Sequence, residues 1–476
     1  MLDRRRPDFK FRERKMSESS IIKDFKKLLG AGNVLDAEAD RLSYAYDSAV
    51  LPQKAPAAAL MPERAEQIGE IAALCFKNSI PMTVRGSGTN LSGGTIPDSE
   101  ESVVILTQKL NRVLEINQED LYAVVEPGVV TANFAADAAA RGLFYPPDPG
   151  SQAVSTIGGN IAENAGGLRG LKYGVTKDYV MGLEFFDSAG SLVKTGSRTV
   201  KCATGFNLAG LITGSEGAFG IISKAILKLV PPPKTSKAMT ASFGDVRAAA
   251  GAVAEIIASH VLPCTLEFMD SVTVNMVEDD AKIGLPRGAA AMLLIEVDGH
   301  PAQVADDAET VERILRAQGA CGISVARDDA EKRKIWEARR RALPALARRR
   351  PTIVLEDATV PRSKIPDMVS CIGEIAEKYR LLIGTFGHAG DGNLHPSILC
   401  DRRDPEEFAR VEGAIDELFR RTVEMGGTLS GEHGTGTAKS KWLGLETSKG
   451  TLEYCRALRR AADPKGLLNP SKVVAY

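Results

Sequence analysis

The segment Arg85-Gly-Ser-Gly-Thr-Asn-Leu-Ser-Gly-Gly94 carries four glycines in ten residues and follows an extended stretch that opens at Pro81. Glycine adopts positive φ angles and allows close backbone approach, so successive N–H groups can hold a phosphate. The third glycine of the dinucleotide fingerprint is missing, and the chain has no Gly-Lys dipeptide for a P-loop. Rossmann and P-loop domains are therefore disfavoured. For this loop alone, a mobile turn is the alternative.

Two further glycine-rich regions follow before residue 223. Tyr145-Pro-Pro-Asp-Pro-Gly150 leads into Ser155-Thr-Ile-Gly-Gly-Asn-Ile-Ala-Glu-Asn-Ala-Gly-Gly167, and Gly214-Ser-Glu-Gly-Ala-Phe-Gly-Ile-Ile222 comes later. Together the loops offer many backbone donors for a pyrophosphate and small side chains against which a flat ring system can lie. Their repetition favours a cofactor site over isolated turns.

The order of these motifs resembles the FAD-binding domain of the vanillyl-alcohol oxidase superfamily, the PCMH type. Val125–Val129 and Tyr173–Val180 belong to the same resemblance, which extends over roughly residues 50–230. It implies an α+β fold in which FAD is bound by Arg85, Gly86, Ser87, Gly88, Thr89, Asn90, Ser92, Gly93, Pro147, Asp148, Ser155, Thr156, Gly158, Gly159, Asn160, Asn164, Gly166, Gly167, Glu216, Gly220, Ile221, Ile222 and Asn469.

Some members of that superfamily attach the flavin through a histidine of this domain. The chain has five histidines, and all of them follow residue 259: His260, His300, His388, His395 and His433. We therefore expect non-covalent, dissociable FAD. His260 and His300 stand apart from any motif and are interpreted as structural.

The other three histidines form a second candidate site. If Leu381–Thr385 is a strand, the glycine-rich turn that follows it brings His388 and His395 to one side, while Glu432 arrives from another loop. Two neutral imidazoles and one carboxylate suit a divalent metal such as Zn, Fe or Mn. Core or surface histidines beside turns are the alternative. Glu432 and His433 can serve one site only if the backbone twists between them, because adjacent residues of an extended segment point to opposite sides.

This half of the sequence resembles the FAD-linked 2-hydroxyacid dehydrogenases, which include D-lactate dehydrogenase, D-2-hydroxyglutarate dehydrogenase and the glycolate oxidase catalytic subunit. The resemblance rests on Gly387–Pro396, Ser430–Gly436 and Asp463–Pro470 and covers the chain from about residue 40. The segment from Trp336 to Ala345 is most similar to the glycolate oxidase subunit. The resemblance implies the metal ligands His388, His395 and Glu432, the base His433, and Arg339 as the residue that binds the substrate carboxylate.

The implied reaction oxidises a small 2-hydroxy acid, D-lactate or glycolate, to the 2-oxo acid by hydride transfer to flavin N5. A neutral histidine can accept the hydroxyl proton while a metal lowers the hydroxyl pKa, and a guanidinium fork fixes the carboxylate. Enzymes that act on 2-hydroxyglutarate bind its distal carboxylate where this chain has Leu343 and Leu355, so a long dicarboxylate is disfavoured. The alternative for Arg339 is a place on a solvated helix face with Arg340 and Arg341.

Two other classes remain open. One is a flavoprotein of the same fold that acts on another substrate, such as an alcohol oxidase, a cell-wall reductase or an ether-lipid synthase. The other is a non-catalytic FAD-binding subunit of a larger complex. The paired histidines and the Glu432-His433 dipeptide favour the dehydrogenase over both.

Composition limits the partners. The 60 basic and 61 acidic residues leave a formal charge of −1, so no global field favours nucleic acid or an anionic membrane. Apolar stretches fall far short of the roughly 20 residues of a membrane span. Seven cysteines without a Cys-x-x-Cys pair argue against disulfides and an iron–sulfur cluster and fit a reducing cytoplasm.

Without a Rossmann fingerprint or a cluster of its own, the chain must pass its electrons to something else. The resemblance implies an iron–sulfur subunit leading to quinone, or an electron-transferring flavoprotein, and such a partner would place the protein peripherally at the inner membrane. Oxygen is the alternative acceptor. The sequence leaves open whether the protein forms a homodimer.

The expected domain division is a tail and helix (1–40), a FAD-binding domain (41–235), a substrate or cap domain (236–425) and a C-terminal segment that returns to the flavin (426–476). Three prolines at 231–233 mark the main boundary as a stiff linker. We expect a mixed sheet with helices on one face in the cap domain. The basic stretch Arg4–Lys15 lacks the apolar region of an export signal and is interpreted as a disordered tail or an upstream start.

Overall fold

The computed structural model describes residues 20–475. Its strands are β1 (Val34–Leu35), β2 (Ala58–Leu60), β3 (Met82–Arg85), β4 (Val103–Leu106), β5 (Val113–Asn117), β6 (Tyr122–Val125), β7 (Val180–Phe186), β8 (Leu192–Gly196), β9 (Ile221–Lys228), β10 (Thr235–Phe243), β11 (Thr265–Asp270), β12 (Ala291–Gly299), β13 (Gly322–Val325), β14 (Thr352–Leu355), β15 (Ala358–Thr359), β16 (Leu382–His388) and β17 (Asn393–Cys400).

The helices are α1 (Ile21–Leu29), α2 (Glu38–Leu42), α3 (Ala65–Asn78), α4 (Thr131–Ala139), α5 (Ile157–Glu163), α6 (Gly170–Tyr173), α7 (Leu208–Ile212), α8 (Val246–Ala258), α9 (Ser271–Ala281), α10 (Pro301–Ala317), α11 (Asp329–Ala347), α12 (Ile365–Tyr379), α13 (Pro405–Glu424), α14 (Leu443–Glu446) and α15 (Lys449–Ala462). Short 3-10 turns lie at Ala31–Asn33, Thr176–Asp178, Arg362–Lys364 and Ser440–Trp442. Arg4–Lys15 lies outside the described residues.

Two small sheets form the flavin-side half. The first has the order β1-β2-β4-β3, and its central strand β4 is parallel to both β2 and β3. Val103–Leu106 is buried throughout, as expected of a strand covered on both faces. The second sheet, β5-β6-β9-β7-β8, is antiparallel. The first glycine loop leaves the end of β3, where it can meet the loop around α5.

The cap sheet has the order β13-β10-β12-β11-β16-β17-β14, with β15 also paired to β17. All of these pairs are antiparallel, so the expectation of a mixed sheet is wrong in this respect. The helix-connected strands β10 and β11 do run in the same direction. However, β12 lies between them, so that each strand neighbours one of opposite direction.

Helices cover both faces of the cap sheet, so the expectation of one covered face is also wrong. Helices α8, α10, α12 and α13 pack against one face, while α9 and α11 pack against the other. Strand β12 explains this arrangement, because Leu293 and Ile295 are buried on the first face and Met292 and Leu294 on the second. The second face carries the candidate site.

A tight hairpin joins β16 to β17. Phe386 lies opposite His395 in the register, and His388 lies opposite Asn393. Alternation along the strands therefore puts Phe386, His388 and His395 on the second face, toward α11. The strand predicted over Leu381–Thr385 is found, and it continues to His388.

The segment that follows α15 returns to the first sheet. Met82 N donates to Leu467 O (2.7 Å), and Asn469 N donates to Met82 O (2.9 Å). The fully buried Lys472 donates from Nζ to Ile96 O (2.7 Å). Residues that follow the cap sheet in the chain thus complete the flavin-side half.

A polar contact joins the two halves. Lys172 Nζ, on α6, lies 2.6 Å from Asp298 Oδ1 at the end of β12, and Tyr173 donates its hydroxyl to Asp298 Oδ2 (2.7 Å). The division predicted near residue 235 stays a prediction; in the structure, β10 begins at Thr235. Within residues 20–475, none of the helices combines the length and apolar character that a bilayer crossing needs.

Candidate active site

One cavity of about 540 Å³ lies between the glycine loops and the second face of the cap sheet. The predicted catalytic and metal-binding residues all line it: Arg339, His388, His395, Glu432 and His433. So do the following predicted flavin contacts: Gly86, Ser87, Gly88, Thr89, Asn90, Ser155, Thr156, Gly158, Gly159, Asn160, Gly166, Glu216, Gly220, Ile222 and Asn469. Residues from seven separate parts of the sequence thus meet in one cleft.

The remaining predicted flavin contacts lie behind the walls of the cleft. Arg85 turns away, because its Nη1 donates to Tyr46 O (2.5 Å) and to Thr95 Oγ1 (3.2 Å). Its role in this structure is to hold the first loop. The others that do not line the cleft are Ser92, Gly93, Pro147, Asp148, Asn164, Gly167 and Ile221.

The glycine loops pack too closely for side chains at key positions. A Cβ at Gly86 would lie 2.2 Å from Thr156 Oγ1, and a Cβ at Gly158 would lie 2.6 Å from Pro127 Cβ. Thr156 also caps α5, since its hydroxyl accepts from Gly159 N (3.3 Å). These contacts leave a cradle of backbone and small groups, which fits the pyrophosphate and flat ring of FAD.

His388, His395 and Glu432 form the candidate metal centre. Glu432 Oε1 lies 3.2 Å from the Nε2 atoms of both His388 and His395, and one ligand atom from each of the three residues falls within 4.8 Å of the others. Interaction with His388 and His395 outweighs burial and holds the pKa of Glu432 well below its ordinary value. Two imidazoles and a carboxylate in this geometry fit a divalent metal with open positions.

Glu267, on β11, supports both the metal centre and the candidate substrate arginine. Its side chain is fully buried; Oε1 accepts from His388 Nδ1 (2.7 Å) and Oε2 accepts from Arg339 Nε (2.5 Å). Burial by itself would raise the pKa of the Glu267 carboxyl. The interactions with His388 and Arg339 are stronger, so the pKa lies below its ordinary value. A carboxylate behind a ligating histidine is the usual second layer of a metal site.

Arg339 is a buried residue, and the alternative of a solvated helix face is therefore wrong for it. Only 9% of it is exposed, and its guanidinium carbon lies 4.6 Å from the centroid of the Phe386 ring. Arg340 and Arg341 are less buried, and Arg340 lines the mouth of the cleft without an ion-pair partner among residues 20–475. The guanidinium of Arg339 is thus held in a fixed plane against the cleft.

His433 lies beside the metal centre, with its ring stacked on that of His395 at 5.0 Å and an interplanar angle of 15°. Burial lowers its pKa to about 4, so the imidazole is neutral near pH 7. Glu432 and His433 both line the cleft, and Asp357 holds the backbone that carries them. Its Oδ2 accepts from the backbone N–H groups of Gly431 (3.1 Å), Glu432 (3.1 Å) and His433 (2.9 Å).

The sequence analysis missed Glu267 and Asp357. Each is an acidic residue in or directly after a β-prone run rich in apolar residues, Thr265-Leu-Glu-Phe-Met-Asp270 and Thr352-Ile-Val-Leu-Glu-Asp-Ala-Thr359. A buried carboxylate requires a charged or hydrogen-bonding partner. That is the signal that could have pointed to both.

A second pair of acids, Glu163 and Glu216, lines the flavin side of the cleft. The site of a Cβ on Gly434 would lie 2.2 Å from Glu163 Oε2 and 3.1 Å from Glu216 Oε1, so the carboxyls face each other across one point. Burial raises the pKa of both, and for Glu163 the neighbouring Glu216 raises it further. The sequence analysis predicted Glu216 as a flavin contact but missed Glu163 and the pairing of the two carboxyls.

Comparison with family models agrees with the two halves. A FAD-binding domain model matches residues 56–196, and the model of the C-terminal domain of FAD-linked oxidases matches residues 232–473. A crystal structure of p-cresol methylhydroxylase with substrate bound superimposes with a TM-score of 0.79 at 18% identity, over 96% of this chain and 96% of that one. The fold and the cleft therefore define a FAD-dependent oxidoreductase of the PCMH type, and the predicted α+β fold class is confirmed.

Curated relatives narrow the class. Glycolate oxidase subunit GlcD of Bacillus subtilis (strain 168) is 47% identical, over 96% of this chain and 97% of that protein. A D-lactate dehydrogenase of Anaerostipes hadrus is 31% identical, over 95% and 97%. The chain belongs to the FAD-linked oxidase family that contains these two proteins, and it is an enzyme with FAD as its cofactor.

Proposed function

We propose that the chain is a FAD- and metal-dependent dehydrogenase of a small 2-hydroxy acid, with glycolate or D-lactate as substrate. One observation carries the proposal. His388, His395, Glu432, His433 and the buried Arg339 line the same cleft as the glycine loops. The names of the two relatives, a glycolate oxidase subunit and a D-lactate dehydrogenase, support this substrate class.

Arg339 binds the substrate carboxylate. Glu267 occupies its Nε and the Phe386 ring covers one face, so the remaining guanidinium nitrogens are left to hold a carboxylate in two parallel hydrogen bonds. The same Glu267 carboxylate also contacts His388 through its other oxygen, so Arg339 and His388 are held side by side. The carboxylate and the hydroxyl of one 2-hydroxy acid are thereby directed to neighbouring groups, which orients Cα in the cleft.

His433 accepts the hydroxyl proton. A neutral imidazole within reach of the substrate acts as a general base, while the Cα hydrogen leaves with its electron pair as hydride. The products are the 2-oxo acid, one proton on His433 and two electrons with one hydrogen on the flavin, so charge and atoms balance. FAD supplies the two-electron acceptor when it is bound.

His388, His395 and Glu432 hold the divalent ion, which supplies Lewis acidity toward the substrate hydroxyl. Glu267 fixes the orientation of the His388 ring through its Nδ1–H. Zn, Fe and Mn all fit a site with two nitrogen ligands and one oxygen ligand.

The cleft wall selects small substrates. Leu343 and Leu355 line it and offer neither a donor nor a charge to a distal carboxylate. The position of Arg340 favours a second candidate, a longer dicarboxylate such as D-2-hydroxyglutarate. Arg340 brings a positive charge to the same cleft, and among the described residues 20–475 no acidic side chain pairs with it. If that candidate is correct, Arg340→Ala will weaken its binding and leave glycolate unaffected.

FAD is bound non-covalently in this proposal. The cleft-lining histidines all belong to the metal and base cluster, which leaves none for attachment of the flavin at the glycine loops. Acid precipitation tests this directly: we expect yellow supernatant and colourless protein, whereas flavin retained by the precipitate contradicts the proposal.

Electrons leave to a protein or quinone acceptor. The relative named as a glycolate oxidase subunit supports a multi-subunit assembly, with an iron–sulfur subunit or an electron-transferring flavoprotein as partner. A cytoplasmic location, or attachment to the inner membrane through that partner, belongs to the same proposal. We expect slow turnover with oxygen, negligible NAD reduction and fast turnover with an artificial dye; rapid, stoichiometric peroxide release contradicts the dehydrogenase assignment.

Anaerobic flavin bleaching tests the substrate class. The panel is glycolate, D-lactate, L-lactate, D-2-hydroxybutyrate and D-2-hydroxyglutarate, added to the purified, metal-loaded flavoprotein. We expect bleaching by glycolate or D-lactate at a rate that saturates with concentration. If no 2-hydroxy acid bleaches the flavin while dithionite does, the proposed function is wrong.

A further inference from the structure

Asp357 has a second, unused oxygen atom that faces two histidines. Oδ1 lies 3.3 Å from His395 Nδ1 and 3.7 Å from His433 Nδ1. Within residues 20–475, none of these three buried atoms has another hydrogen-bond partner. The side chain of Asp357 is itself fully buried.

The other oxygen, Oδ2, is fully engaged. Besides the three backbone N–H groups of the 431–433 segment it accepts from Ser430 Oγ (3.1 Å). Four donors on one oxygen fix the orientation of the carboxylate, so Oδ1 cannot turn away from the two imidazoles. Lys439 Nζ lies 3.7 Å from Oδ2 and places a positive charge beside the carboxylate.

With Oδ2 taken by four donors, Oδ1 is left as an acceptor for the two nitrogens that face it, so the geometry favours a hydrogen on each of these nitrogens. The hydrogen of each neutral imidazole is then at Nδ1, which leaves the lone pair at Nε2. For His395 that is the atom 3.2 Å from Glu432 in the candidate metal centre. For His433 it leaves Nε2 as the nitrogen that can accept a proton.

We propose that Asp357 is a positioning residue that fixes the tautomer of His395 and of His433 together. One carboxylate thus makes His395 a ligand through Nε2 and makes His433 a base through Nε2. This role rests on the proposed function, because the base needs a substrate proton. It is separate from that of Glu267, which holds His388 and Arg339.

Asp357→Asn is the direct test. The amide keeps an oxygen for the four donors of the 430–433 segment but turns an NH2 group toward the imidazoles. Each imidazole must then accept at Nδ1 and carry its hydrogen at Nε2, where it can neither bind metal nor accept the substrate proton. Glu356→Gln is the matched control, because Glu356 contacts Lys439 rather than the histidines.

NMR of the protein labelled with ¹⁵N-histidine and loaded with Zn²⁺ reads the tautomers without substrate, and only five histidines contribute signals. We expect Nδ1–H for His395 and His433 in the wild type and in Glu356→Gln. In Asp357→Asn we expect Nε2–H for His433, about 10–100-fold weaker Zn²⁺ binding, and about 10²–10⁴-fold slower bleaching at saturating substrate, with a smaller change in substrate KM.

The outcomes separate the two proposals. An Nε2–H tautomer of His433 in the wild type, or an unchanged tautomer in Asp357→Asn, overturns the positioning role even if the wild type oxidises glycolate. Tautomer and Zn²⁺ shifts in Asp357→Asn, together with a wild type that no 2-hydroxy acid bleaches, overturn the proposed function alone. Should Asp357→Asn fail to fold, the wild-type spectrum still decides the matter.

Discussion

The two sides of the cleft both bury acidic side chains and shift their pKa values in opposite directions. On the flavin side, burial raises the pKa of Glu163 and Glu216, which face each other. On the cap side, neighbouring histidines outweigh burial and lower the pKa of Glu432 and Asp357, as His388 and Arg339 do for Glu267.

The difference lies in the partners rather than in the depth of burial. Burial without a facing positive group raises the pKa of a carboxyl, while contacts with histidine, lysine or arginine side chains lower it. The flavin side also offers small groups and backbone donors, which suit a large cofactor. The cap side offers fixed charges, which suit a metal ion and a small anion. Four substitutions test this contrast.

Removal of the metal has the largest expected effect. We expect EDTA treatment, or His388→Ala, to abolish substrate-driven bleaching while FAD stays bound, because the glycine cradle does not depend on the ionised cluster. Flavin absorbance after gel filtration and metal analysis measure the two losses separately. His300→Ala, at the start of α10, is the control and should keep both. Loss of FAD together with the metal would contradict the separation.

His433→Asn comes next. Asparagine preserves polarity but cannot accept a proton, so we expect the reductive half-reaction to slow by about 10²–10⁴-fold, the usual contribution of a positioned base. Metal content and FAD binding should stay at wild-type levels. Stopped-flow bleaching measures the rate, and a near-normal value would reduce His433 to a structural residue.

Glu267→Gln removes the charge that holds both His388 and Arg339. We expect metal affinity to fall by about 10–100-fold, the usual cost of losing a carboxylate behind a ligating histidine, and substrate KM to rise because Arg339 loses its anchor. Glu296→Gln on the adjacent strand is the control, since Glu296 accepts from Trp336 Nε1 outside the cleft. Equal effects of the two substitutions would remove the distinction between these acids.

Glu163→Gln has the smallest expected effect. A carboxyl whose pKa is higher in the folded than in the unfolded state stabilises the fold below its unfolded pKa, and this stabilisation is lost as pH rises through the folded pKa. Glutamine mimics the protonated acid, so the variant should keep this stabilisation as the pH rises. We compare the unfolding free energies of the variant and the wild type at pH 6 and at pH 8. The difference in favour of the variant should grow by on the order of 1 kcal/mol between these two pH values. Urea titrations measure both unfolding free energies. If they change in parallel between pH 6 and pH 8, Glu163 is already ionised over this range and the prediction is wrong.

The sequence predicted the fold class and most of the cleft because glycine loops and histidine pairs are local signals. The strand before His388 needed only its apolar run and the turn residues that follow it. The pairing of His388 with His395 in the candidate metal centre was predicted from a hairpin whose glycine turn is visible in the sequence. Each of these features depends on residues within about a dozen positions of one another.

The remaining features depend on contacts between distant residues. Glu267 and His388 are 121 positions apart, and Asp357 meets Ser430 across 73 positions, so no local pattern reveals their pairing. The sequence likewise does not reveal that β12 lies between β10 and β11, because strand order is set by pairing between distant residues. Arg85 looked like a cofactor contact because it belongs to the glycine motif, yet its guanidinium binds the neighbouring loop.

Strand β3 gains its last hydrogen-bonded neighbours only from Leu467 and Asn469. During translation, residues 20–230 emerge well before these two, by roughly ten to fifty seconds at about 5–20 residues per second. Until then the nascent flavin-side half carries an open strand edge at Met82 and lacks Asn469 in its cleft. An open edge is a template for pairing with other chains. We therefore expect FAD to bind stably only after the C-terminal segment has been synthesised, and folding intermediates that lack this segment to be free of flavin and prone to aggregation.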